Sequence, residues 1–365
     1  MTRYLLAGGG TAGHVNPLLA VADRIVERDP GAEILVLGTS EGLEARLVPQ
    51  RGYELVTVQR LVFPRRPNVD LLRFPRHFRG SVDAVRSIIR DRGVDVLAGF
   101  GGYVSGPAYR AARLERIPIA VHEANARPGI ANRLGARYTE HVGVAFHGTR
   151  LRHATFVGMP LRREIETLDR AAARADAIRS FGLDPAKPVL LVTGGSQGAQ
   201  RINETVWESA ASLLGTGWQL LHIAGARWDR LEPGLPGYRI LQYSDRMELA
   251  IAAADLAVAR AGAATVSEFS ALGVPAVYVP LAIGNGEQRL NAREAVRAGG
   301  ALLVENAAFD RDWVSGTLVP LLQDRAMVAE MAARTLSVGV LDGAERTAGL
   351  VFAARDHRGS VRWSR

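Results

Sequence analysis

Short apolar runs of strand length recur along the whole chain, and longer stretches with helical spacing of apolar residues separate them. In the first half these runs lie around Leu5 and at residues 34–37, 55–58, 94–98, 119–121 and 142–146. A second series lies at residues 189–192, 220–223, 240–243, 256–259, 276–279 and 301–304. Alternation of this kind is typical of parallel strands joined by covering helices, so the pattern predicts an α/β fold.

A different kind of sequence separates the two series. Residues 162–187 are rich in Arg, Ala and Asp, have helical character and end near Pro185 and Pro188. We therefore predict two doubly wound parallel-sheet domains, residues 1–160 and 161–340, that face each other across a cleft. The remaining residues, 341–365, are predicted to add a helix that packs back on the first domain, followed by a basic, disordered end.

A glycine loop follows the first apolar run. Gly8, Gly10 and Gly13 satisfy the dinucleotide-binding spacing, in which the backbone approaches a pyrophosphate at a helix N-terminus. That motif also requires an acidic residue at the end of the second strand, and Glu41 lies slightly too late. The residue after Gly13 is His14 and not the lysine of a P-loop. A nicotinamide site and a Walker-type phosphate site are therefore both disfavoured.

Two further glycine clusters each stand between a predicted strand and a predicted helix. The loop at residues 194–198 combines glycines with Ser196, which indicates either an anion-binding site or a serine N-cap. The cluster at residues 99–107 indicates either a third oxyanion-binding loop or a tight packing turn. After another predicted strand, His122 has the character of a core-edge histidine, and Asn125 is the better candidate for a ligand contact.

Acidic side chains at two predicted helix starts allow alternative roles. Glu268 can accept hydrogen bonds from ribose hydroxyls, or it can complete a capping box with Thr265. Asp310 and Asp312 resemble a D-x-D metal signature, but their place at a helix start favours a helix cap. We therefore expect no metal ligand there.

Composition narrows the function classes. The 365 residues are 47% hydrophobic, enough for two cores, and include no apolar run of the length that spans a membrane. The N-terminus has no charged segment before an apolar core, so we expect a cytoplasmic protein. The chain has no cysteine, which excludes disulfides, thiol nucleophiles and Cys-ligated metals. The formal charge of +8 indicates an anionic partner, such as nucleic acid, a phosphorylated substrate or a membrane surface.

Six motifs carry a resemblance to a known family: GGGTAGH, GFGGYVSGP, HEANA, GMPLR, GGSQGA, and AATVSE followed by EQRLNA. In order and spacing they resemble the MurG family, the bacterial N-acetylglucosaminyltransferases that convert lipid I to lipid II in peptidoglycan synthesis. The resemblance runs from about Arg3 to Glu305. The sequence departs from the residues frequent in that family at Ala12, Ala124, Met159 and Glu287.

The resemblance implies a GT-B fold, with the first domain for the lipid-linked acceptor and the second for UDP-GlcNAc. It implies donor contacts at Thr11, Ala12, Gly13, Asn125, Arg162, Ser196, Ser244, Ala263, Ala264, Thr265, Val266, Ser267, Glu268 and Gln288. Acceptor contacts are expected at Gly9, Gly10, Gly101, Gly102, Tyr103 and Ser105. On this basis the first glycine loop faces the acceptor's diphosphate, and the Ser196 loop faces the donor's.

The implied reaction is attack of the MurNAc 4-hydroxyl on the anomeric carbon of UDP-GlcNAc, with inversion to a β-1,4 bond. We expect His14 to be the base, because a helix N-terminus keeps an imidazole neutral, and Glu123 is the alternative. Helix N-termini, Ser196 and Arg162 are expected to stabilise the leaving diphosphate, so we expect neither a metal nor an organic cofactor. The rival interpretations are another GT-B enzyme acting on UDP-sugars (a lipid glycosyltransferase or a UDP-GlcNAc 2-epimerase) and a non-catalytic nucleotide-binding module.

Residues 60–80 mix apolar and basic side chains. The apolar members are Leu61, Phe63, Leu71, Leu72, Phe74 and Phe78, and the basic members are Arg65, Arg66, Arg73, Arg76 and Arg79. We predict that this segment docks the enzyme on the cytoplasmic face of the bacterial membrane, where it meets anionic lipid. The alternative is an amphipathic helix that packs on the first sheet. Nucleic acid is not an expected partner, whereas other cell-wall synthesis proteins are candidates.

Overall fold

The computed structural model describes residues 1–61, 69–195, 198–230, 234–281 and 286–357, without the side chains of residues 69–72. The chain divides into two compact units. The first unit comprises Met1–Arg162 together with the chain from Leu341 onward, and the second comprises Arg163–Val340. The predicted disordered end, residues 358–365, lies outside the described residues.

The first unit is built on a parallel sheet. Its strands are β1 (Arg3–Ala7), β2 (Glu33–Gly38), β3 (Glu54–Thr57), β4 (Val96–Gly99), β5 (Ile119–Glu123), β6 (Val142–Val144) and β7 (Ala154–Phe156). The order across this seven-stranded sheet is β3-β2-β1-β4-β5-β6-β7. Leu5 of β1 lies beside Leu35 of β2, and Leu6 lies beside Ala98 of β4. Because the strand order reverses between β1 and β4, a crevice opens at the carboxyl ends of these two strands.

Helices cover both faces of this sheet. They include α1 (Ala12–Arg28), α2 (Glu44–Gln50), α3 (Val69–Asp91), α4 (Ser105–Glu115) and α5 (Ile130–Gly135). Successive strand residues point to opposite faces, so Leu5 and Leu35 belong to one core and Tyr4 and Leu6 to the other. Both faces are therefore apolar, as the continuous apolar runs in the sequence predict.

The second unit repeats the same architecture. Its strands are β8 (Val189–Thr193), β9 (Gln219–Ile223), β10 (Tyr238–Leu241), β11 (Leu256–Ala259), β12 (Ala276–Tyr278) and β13 (Ala301–Leu303). They form a six-stranded parallel sheet in the order β10-β9-β8-β11-β12-β13. Its helices are α6 (Arg163–Glu166), α7 (Arg170–Ser180), α8 (Gln200–Glu208), α9 (Ala210–Leu214), α10 (Met247–Ala253), α11 (Ala263–Ala271), α12 (Glu287–Asn291), α13 (Arg293–Arg297), α14 (Arg311–Trp313), α15 (Val319–Gln323) and α16 (Arg325–Leu336), with a π-helical segment at Val314–Leu318.

The last helix, α17 (Gly343–Asp356), belongs to the first unit. Phe352 packs edge-to-face on Tyr4 of β1, with ring centroids 6.1 Å apart, and Arg355 donates a hydrogen bond of 2.8 Å to the Tyr4 hydroxyl. At the start of the helix, a side chain at Gly343 would collide with the Met159 carbonyl. The helix therefore completes the core on the face of the sheet that α1 also covers.

The predicted fold class is confirmed, since each predicted apolar run coincides with a strand of one of two parallel sheets. One strand, β7, was not predicted. It has only three residues, Ala154 and Thr155 are exposed, and it lies at the edge of the sheet. A strand of this kind carries no apolar run for the sequence to reveal.

Candidate active site

In the first unit, the loops after β1, β2 and β4 surround a cavity of about 490 Å³ at the carboxyl ends of the strands. Gly9, Gly10, His14, Glu44, Gly102 and Tyr103 are among the residues that line it. Gly101 and Gly102 both have positive φ, and a side chain at Gly102 would lie 2.5 Å from the Gly9 carbonyl oxygen. The loops after β1 and β4 can therefore meet only because these positions are glycine.

Helix α1 presents its N-terminus at this cavity. It begins at Ala12, after Thr11 in an extended conformation, and no side chain caps it. The backbone N–H groups of the first turn, which includes Ala12 and Gly13, have no acceptors within the helix. The first turn also contains no acidic residue. This helix end can therefore bind an anion or a polar oxygen.

His14 lies in the first turn of α1, half-buried beside the cavity. Its Nδ1 is 3.2 Å from the Thr11 hydroxyl, and its ring hydrogen-bonds to the backbone of Gly9. Burial lowers the pKa of His14, and the hydrogen bond with Gly9 and the charge of Glu44 only partly oppose this effect. The imidazole is consequently neutral at pH 7 and able to accept a proton.

Glu44, the first residue of α2, lies beneath the glycine loop and was not predicted as a site residue. Its side chain is fully buried. Glu44 Oε2 accepts a hydrogen bond from the backbone N–H of Gly10 at 2.9 Å. The amide of Gly10 is therefore directed at a carboxylate, which differs from the expected contact with the acceptor's diphosphate.

Glu123 ends β5 and is almost completely buried. Its two oxygens accept hydrogen bonds from the backbone of Asn125 at 2.8 Å, the backbone of Gly129 at 2.9 Å and the amide of Asn132 at 2.9 Å. Burial raises the pKa of Glu123, although these hydrogen bonds oppose the effect. The carboxylate thus holds the loop after β5, and with it Asn125.

Two neighbouring polar residues point into the protein. Ser105 is fully buried, and its hydroxyl donates to the carbonyls of Ala7 and Gly101, at 3.0 and 2.6 Å. The Ser105 hydroxyl therefore joins the loops after β1 and β4, and an acceptor contact at this residue stays a prediction. His122 is also buried, with Nε2 3.1 Å from the Gly158 carbonyl, and burial lowers its pKa to about 4. His122 is the core-edge histidine that the sequence indicated.

In the second unit, the segment after β11 forms the start of α11. This helix begins at Ala263, and its N-cap is Gly262, which has no capping side chain. The capping-box interpretation of Thr265 and Glu268 is therefore wrong, because Thr265 lies inside the helix. Ala263, Ala264, Thr265, Val266, Ser267 and Glu268 occupy its first two turns, and only Val266 among them is buried.

Arg260, at the end of β11, was also not predicted. Its Nη1 donates to the carbonyls of Val279 and Pro280, at 2.9 and 3.0 Å, and to Asn306 Oδ1 at 2.7 Å. Burial lowers its pKa. Arg260 thereby holds together the chain segments that follow β12 and β13 at the carboxyl end of the second sheet. Nothing in the adjacent sequence indicated this role in joining the two segments, because Arg260 is far from these partners along the chain.

The remaining predicted donor residues lie in several separate segments, and Gln288 is in helix α12. Gln288 Oε1 accepts from the backbone N–H of Leu281 at 2.9 Å, and Ser244 Oγ accepts from the N–H of Arg246 at 3.3 Å. Arg162 is half-buried and is the last residue of the first unit before the second begins. Ser196 lies outside the described residues. Helix α8 has Ala199 as its N-cap.

Asp310 is the N-cap of α14, and its carboxylate accepts from the backbone N–H of Trp313 at 2.9 Å. The predicted helix cap is thus confirmed. Among the residues that the structure describes, no cluster of three or more His, Asp or Glu side chains is arranged to hold a metal ion.

Two family models match the chain. The glycosyltransferase family 28 N-terminal domain matches residues 4–144, and the glycosyltransferase family 28 C-terminal domain matches residues 189–347. The chain belongs to glycosyltransferase family 28. The first matched range contains most of the seven-stranded sheet, up to β6, and the second contains all six strands of the other sheet.

Relatives of this family 28 chain are similar over nearly its whole length. A protein of Leifsonia xyli subsp. xyli, named "UDP-N-acetylglucosamine--N-acetylmuramyl-(pentapeptide) pyrophosphoryl-undecaprenol N-acetylglucosamine transferase", is 65% identical over 96% of this chain and 98% of its own length. A Streptomyces coelicolor protein of the same name is 49% identical over 96% of this chain and 98% of its own length. The crystal structure of Acinetobacter baumannii MurG is 27% identical, covers 97% of this chain and 100% of its own, and gives a TM-score of 0.79.

In the part of the chain that the structure describes, no helix is both long and apolar enough to cross a bilayer.

Proposed function

We propose that this glycosyltransferase moves N-acetylglucosamine from UDP-GlcNAc to undecaprenyl-pyrophosphoryl-MurNAc-pentapeptide (lipid I), forming lipid II for peptidoglycan synthesis. The observation that carries the proposal is the 65% identity, over 96% of the chain, with a relative named for this transfer. Two glycine-loop sites, one in each unit, suit a reaction whose two substrates both contain a diphosphate.

His14 is the proposed general base. The oxygen of the MurNAc 4-hydroxyl attacks the anomeric carbon of GlcNAc while its proton passes to the neutral imidazole. The bond from the anomeric carbon to the UDP oxygen breaks, and UDP leaves with the electron pair. One displacement of this kind inverts the α-linked donor to a β-1,4 product. The lowered pKa of His14 supports this role, because the ring is unprotonated at neutral pH.

Glu123 is the less suitable base. Its side chain is buried, and its two oxygens together already accept three hydrogen bonds from protein donors. A carboxylate held in this way resists movement toward a substrate hydroxyl. We therefore assign Glu123 to holding the loop that carries Asn125, and Asn125 to the donor.

The second unit is the proposed donor site. Glu268 lies in the second turn of α11, where its carboxylate can accept hydrogen bonds from the two ribose hydroxyls. Residues 263–267 and Ser244 would contact the rest of the nucleotide, and Gln288 the sugar. We propose that Ser196, Arg162 and the N-terminal turn of α1, with Thr11, Ala12 and Gly13, stabilise the charge of the leaving diphosphate without a metal ion.

The first unit is the proposed acceptor and membrane-association unit. Gly9, Gly10, Gly102 and Tyr103 line the cavity that we assign to the acceptor, and Gly101, which precedes Gly102, is a further proposed acceptor contact. Arg60 stacks on the Tyr103 ring at 5.2 Å, so a cation lies beside the cavity where an anionic lipid-linked substrate would enter.

Helix α3 is the proposed membrane contact on the cytoplasmic face. Arg73, Arg76 and Arg79 are exposed. Phe78 packs on the core of the first unit, as the alternative interpretation of this segment requires. Phe74 is half-buried, and its ring centroid lies 5.9 Å from that of Phe78. The helix therefore has a packed side and a basic side. Phe63, Arg65 and Arg66 lie outside the described residues, as do the side chains of Leu71 and Leu72; Leu61 is half-buried.

Acceptor-dependent release of UDP tests the proposed function. The purified enzyme is incubated with UDP-GlcNAc, with and without a short-chain lipid I analogue, and free UDP is measured. We expect UDP release only when the acceptor is present. UDP release without the acceptor would indicate a hydrolase or an epimerase that frees UDP, and no release in either mixture would indicate a binding module.

A further inference from the structure

Glu44 joins the loops that follow the first two strands. Its Oε2 accepts from the N–H of Gly10 at 2.9 Å, and its Oε1 accepts from the N–H and the hydroxyl of Thr39, at 2.9 and 2.8 Å. Gly10 follows β1, and Thr39 follows β2. One buried carboxylate thus ties together two of the loops that line the cavity.

Three glycines make the space that this carboxylate occupies. A Cβ atom at Gly9 would lie 2.5 Å from Glu44 Oε1, and one at Gly38 would lie 2.5 Å from Glu44 Cγ. A Cβ atom at Gly42 would collide directly with the carboxylate. Part of the glycine pattern around the cavity is therefore explained by Glu44 and not by a bound phosphate.

The buried side chain of Glu44 is ionised at neutral pH. Burial alone would raise its pKa, but hydrogen bonds from the backbone of Gly10, from its own backbone and from Thr39 outweigh burial and hold the pKa below its ordinary value. A fixed negative charge therefore lies under the glycine loop, close enough to act on His14.

We propose that Glu44 is a positioning residue of the transfer reaction, which holds the Gly9–Gly10 segment and thereby the ring of His14. The geometry supports this role, because His14 hydrogen-bonds to the backbone of Gly9, the residue that packs directly against the Glu44 carboxylate. The inference rests on the proposed function, since it presumes that His14 is the base. The negative charge of Glu44 also favours the protonated imidazole that forms during the reaction.

Glu44→Gln is the decisive variant, because it keeps the size of the side chain and removes its charge. An amide cannot accept from all three donors with the geometry of a carboxylate, so the glycine loop shifts. We expect kcat to fall by roughly 10²-fold, the cost of misplacing a catalytic group by about 1 Å, with the UDP-GlcNAc Kd unchanged. We also expect NMR titration of labelled histidine to give a lower pKa for His14 than in the wild type.

Thr39→Val is the matched control, because it removes one of the three hydrogen bonds and leaves the charge of Glu44 in place. We expect a smaller loss of kcat than in Glu44→Gln, an unchanged donor Kd and an unchanged His14 pKa. If Glu44→Gln does not fold, as judged by circular dichroism, the Thr39→Val result decides: a wild-type kcat overturns the proposal.

Two results with a folded Glu44→Gln protein would also overturn it. One is a kcat equal to that of the wild type, and the other is a fall in kcat with the His14 pKa unmoved, which leaves Glu44 a purely structural role. The wild type is assayed first with the lipid I analogue. An inactive wild type contradicts the proposed function, whereas an active wild type with a normal Glu44→Gln variant contradicts only the role of Glu44. The NMR titration needs no substrate and therefore reads the effect on His14 in either case.

Discussion

At the scale of single residues, His14 is the group on which the proposed chemistry depends most. His14→Ala should lower kcat by roughly 10²- to 10⁴-fold, the range for loss of a general base, with the UDP-GlcNAc Kd unchanged. Steady-state kinetics and isothermal titration calorimetry measure the two quantities. His153→Asn is the control, because His153 is exposed and its positive φ of 58° suits asparagine. A His14→Ala enzyme with near-normal kcat would contradict His14 as the general base and would favour Glu123 in that role.

The same histidine predicts the pH dependence. Burial lowers the pKa of His14 below its ordinary value of 6.5, so the neutral, active form persists as the pH falls toward that value. We expect kcat/KM for the acceptor to be constant near neutrality and to decline only at pH values below 6.5. A pH–rate profile measures this. A decline that begins well above neutrality contradicts a His14 that is neutral at pH 7.

Glu268 provides a test of the donor site. If its carboxylate accepts from the ribose hydroxyls, Glu268→Ala should weaken UDP-GlcNAc binding by about 1.5–3 kcal/mol, as charged hydrogen bonds usually do. Because Gly262, and not Thr265, caps α11, the melting temperature should change little. Calorimetric titration with UDP-GlcNAc and its 2′-deoxy analogue makes the measurement. Equal affinity of the wild type for both ligands would exclude a contact with the 2′-hydroxyl.

Local sequence signals found some of these residues and missed others for a physical reason. His14 follows a glycine loop, and Glu268 follows a predicted strand, so both carried a signal in the adjacent sequence. Glu44 did not, because its partner Gly10 is 34 residues away and becomes a neighbour only when β1 and β2 pair. The sequence also did not reveal that the Ser105 hydroxyl donates to the backbone carbonyls of Ala7 and Gly101.

At the scale of elements, α3 tests the proposed membrane contact. Each basic group near an anionic leaflet contributes about 1 kcal/mol, and the attraction is screened by salt. Changing Arg73, Arg76 and Arg79 to Glu should therefore abolish most of the sedimentation with anionic vesicles at low salt. The same change at Arg297, Arg311 and Arg325, three exposed arginines of the second unit, is the matched control. Equal, salt-insensitive sedimentation of wild type and α3 variant contradicts the assignment.

Helix α17 makes a different prediction, about stability. Phe352 packs on Tyr4 and lies under the guanidinium groups of Arg28 and Arg355. Phe352→Ala should lower the free energy of unfolding of the first unit by about 3 kcal/mol, as deletion of a buried aromatic ring usually does. Leu341→Ala, at a residue that is 43% exposed, should change it by less than about 0.5 kcal/mol. Urea unfolding compares the two, and similar effects would show that α17 does not complete this core.

Most elements could be predicted because buried parallel strands carry continuous apolar runs. The runs at residues 189–192 and 256–259, for example, became the adjacent strands β8 and β11. The sequence did not predict one short strand at the edge of a sheet or the division of one helical stretch. β7 has no apolar run, and the helical stretch at residues 162–187 contains two separate helices, of which α7 begins at an Asp169 cap.

At the scale of the whole molecule, we propose that each of the two similar sheets supplies one site for a diphosphate-containing substrate. The two units repeat the same strand order, which supports the assignment of one substrate to each unit. Both halves of the sequence show the same alternation of apolar runs and helical stretches, and this repetition made the two-sheet fold predictable. The chain returns to the first unit after Val340, where α17 packs on the first sheet, and the sequence predicts a C-terminal helix that packs back on the first domain.

The structure of the reaction product gives the sharpest test of the proposed transfer of one GlcNAc residue to the MurNAc 4-hydroxyl of lipid I. The enzyme is incubated with UDP-GlcNAc and the short-chain lipid I analogue in the presence of EDTA, and the product is studied by mass spectrometry and by NMR of its anomeric proton. We expect an acceptor heavier by one GlcNAc residue, joined through a β-1,4 bond, with one UDP released for each acceptor consumed. An α-linked product, a different attachment site, or conversion of UDP-GlcNAc to another UDP-sugar with the acceptor unchanged would contradict the proposed transfer.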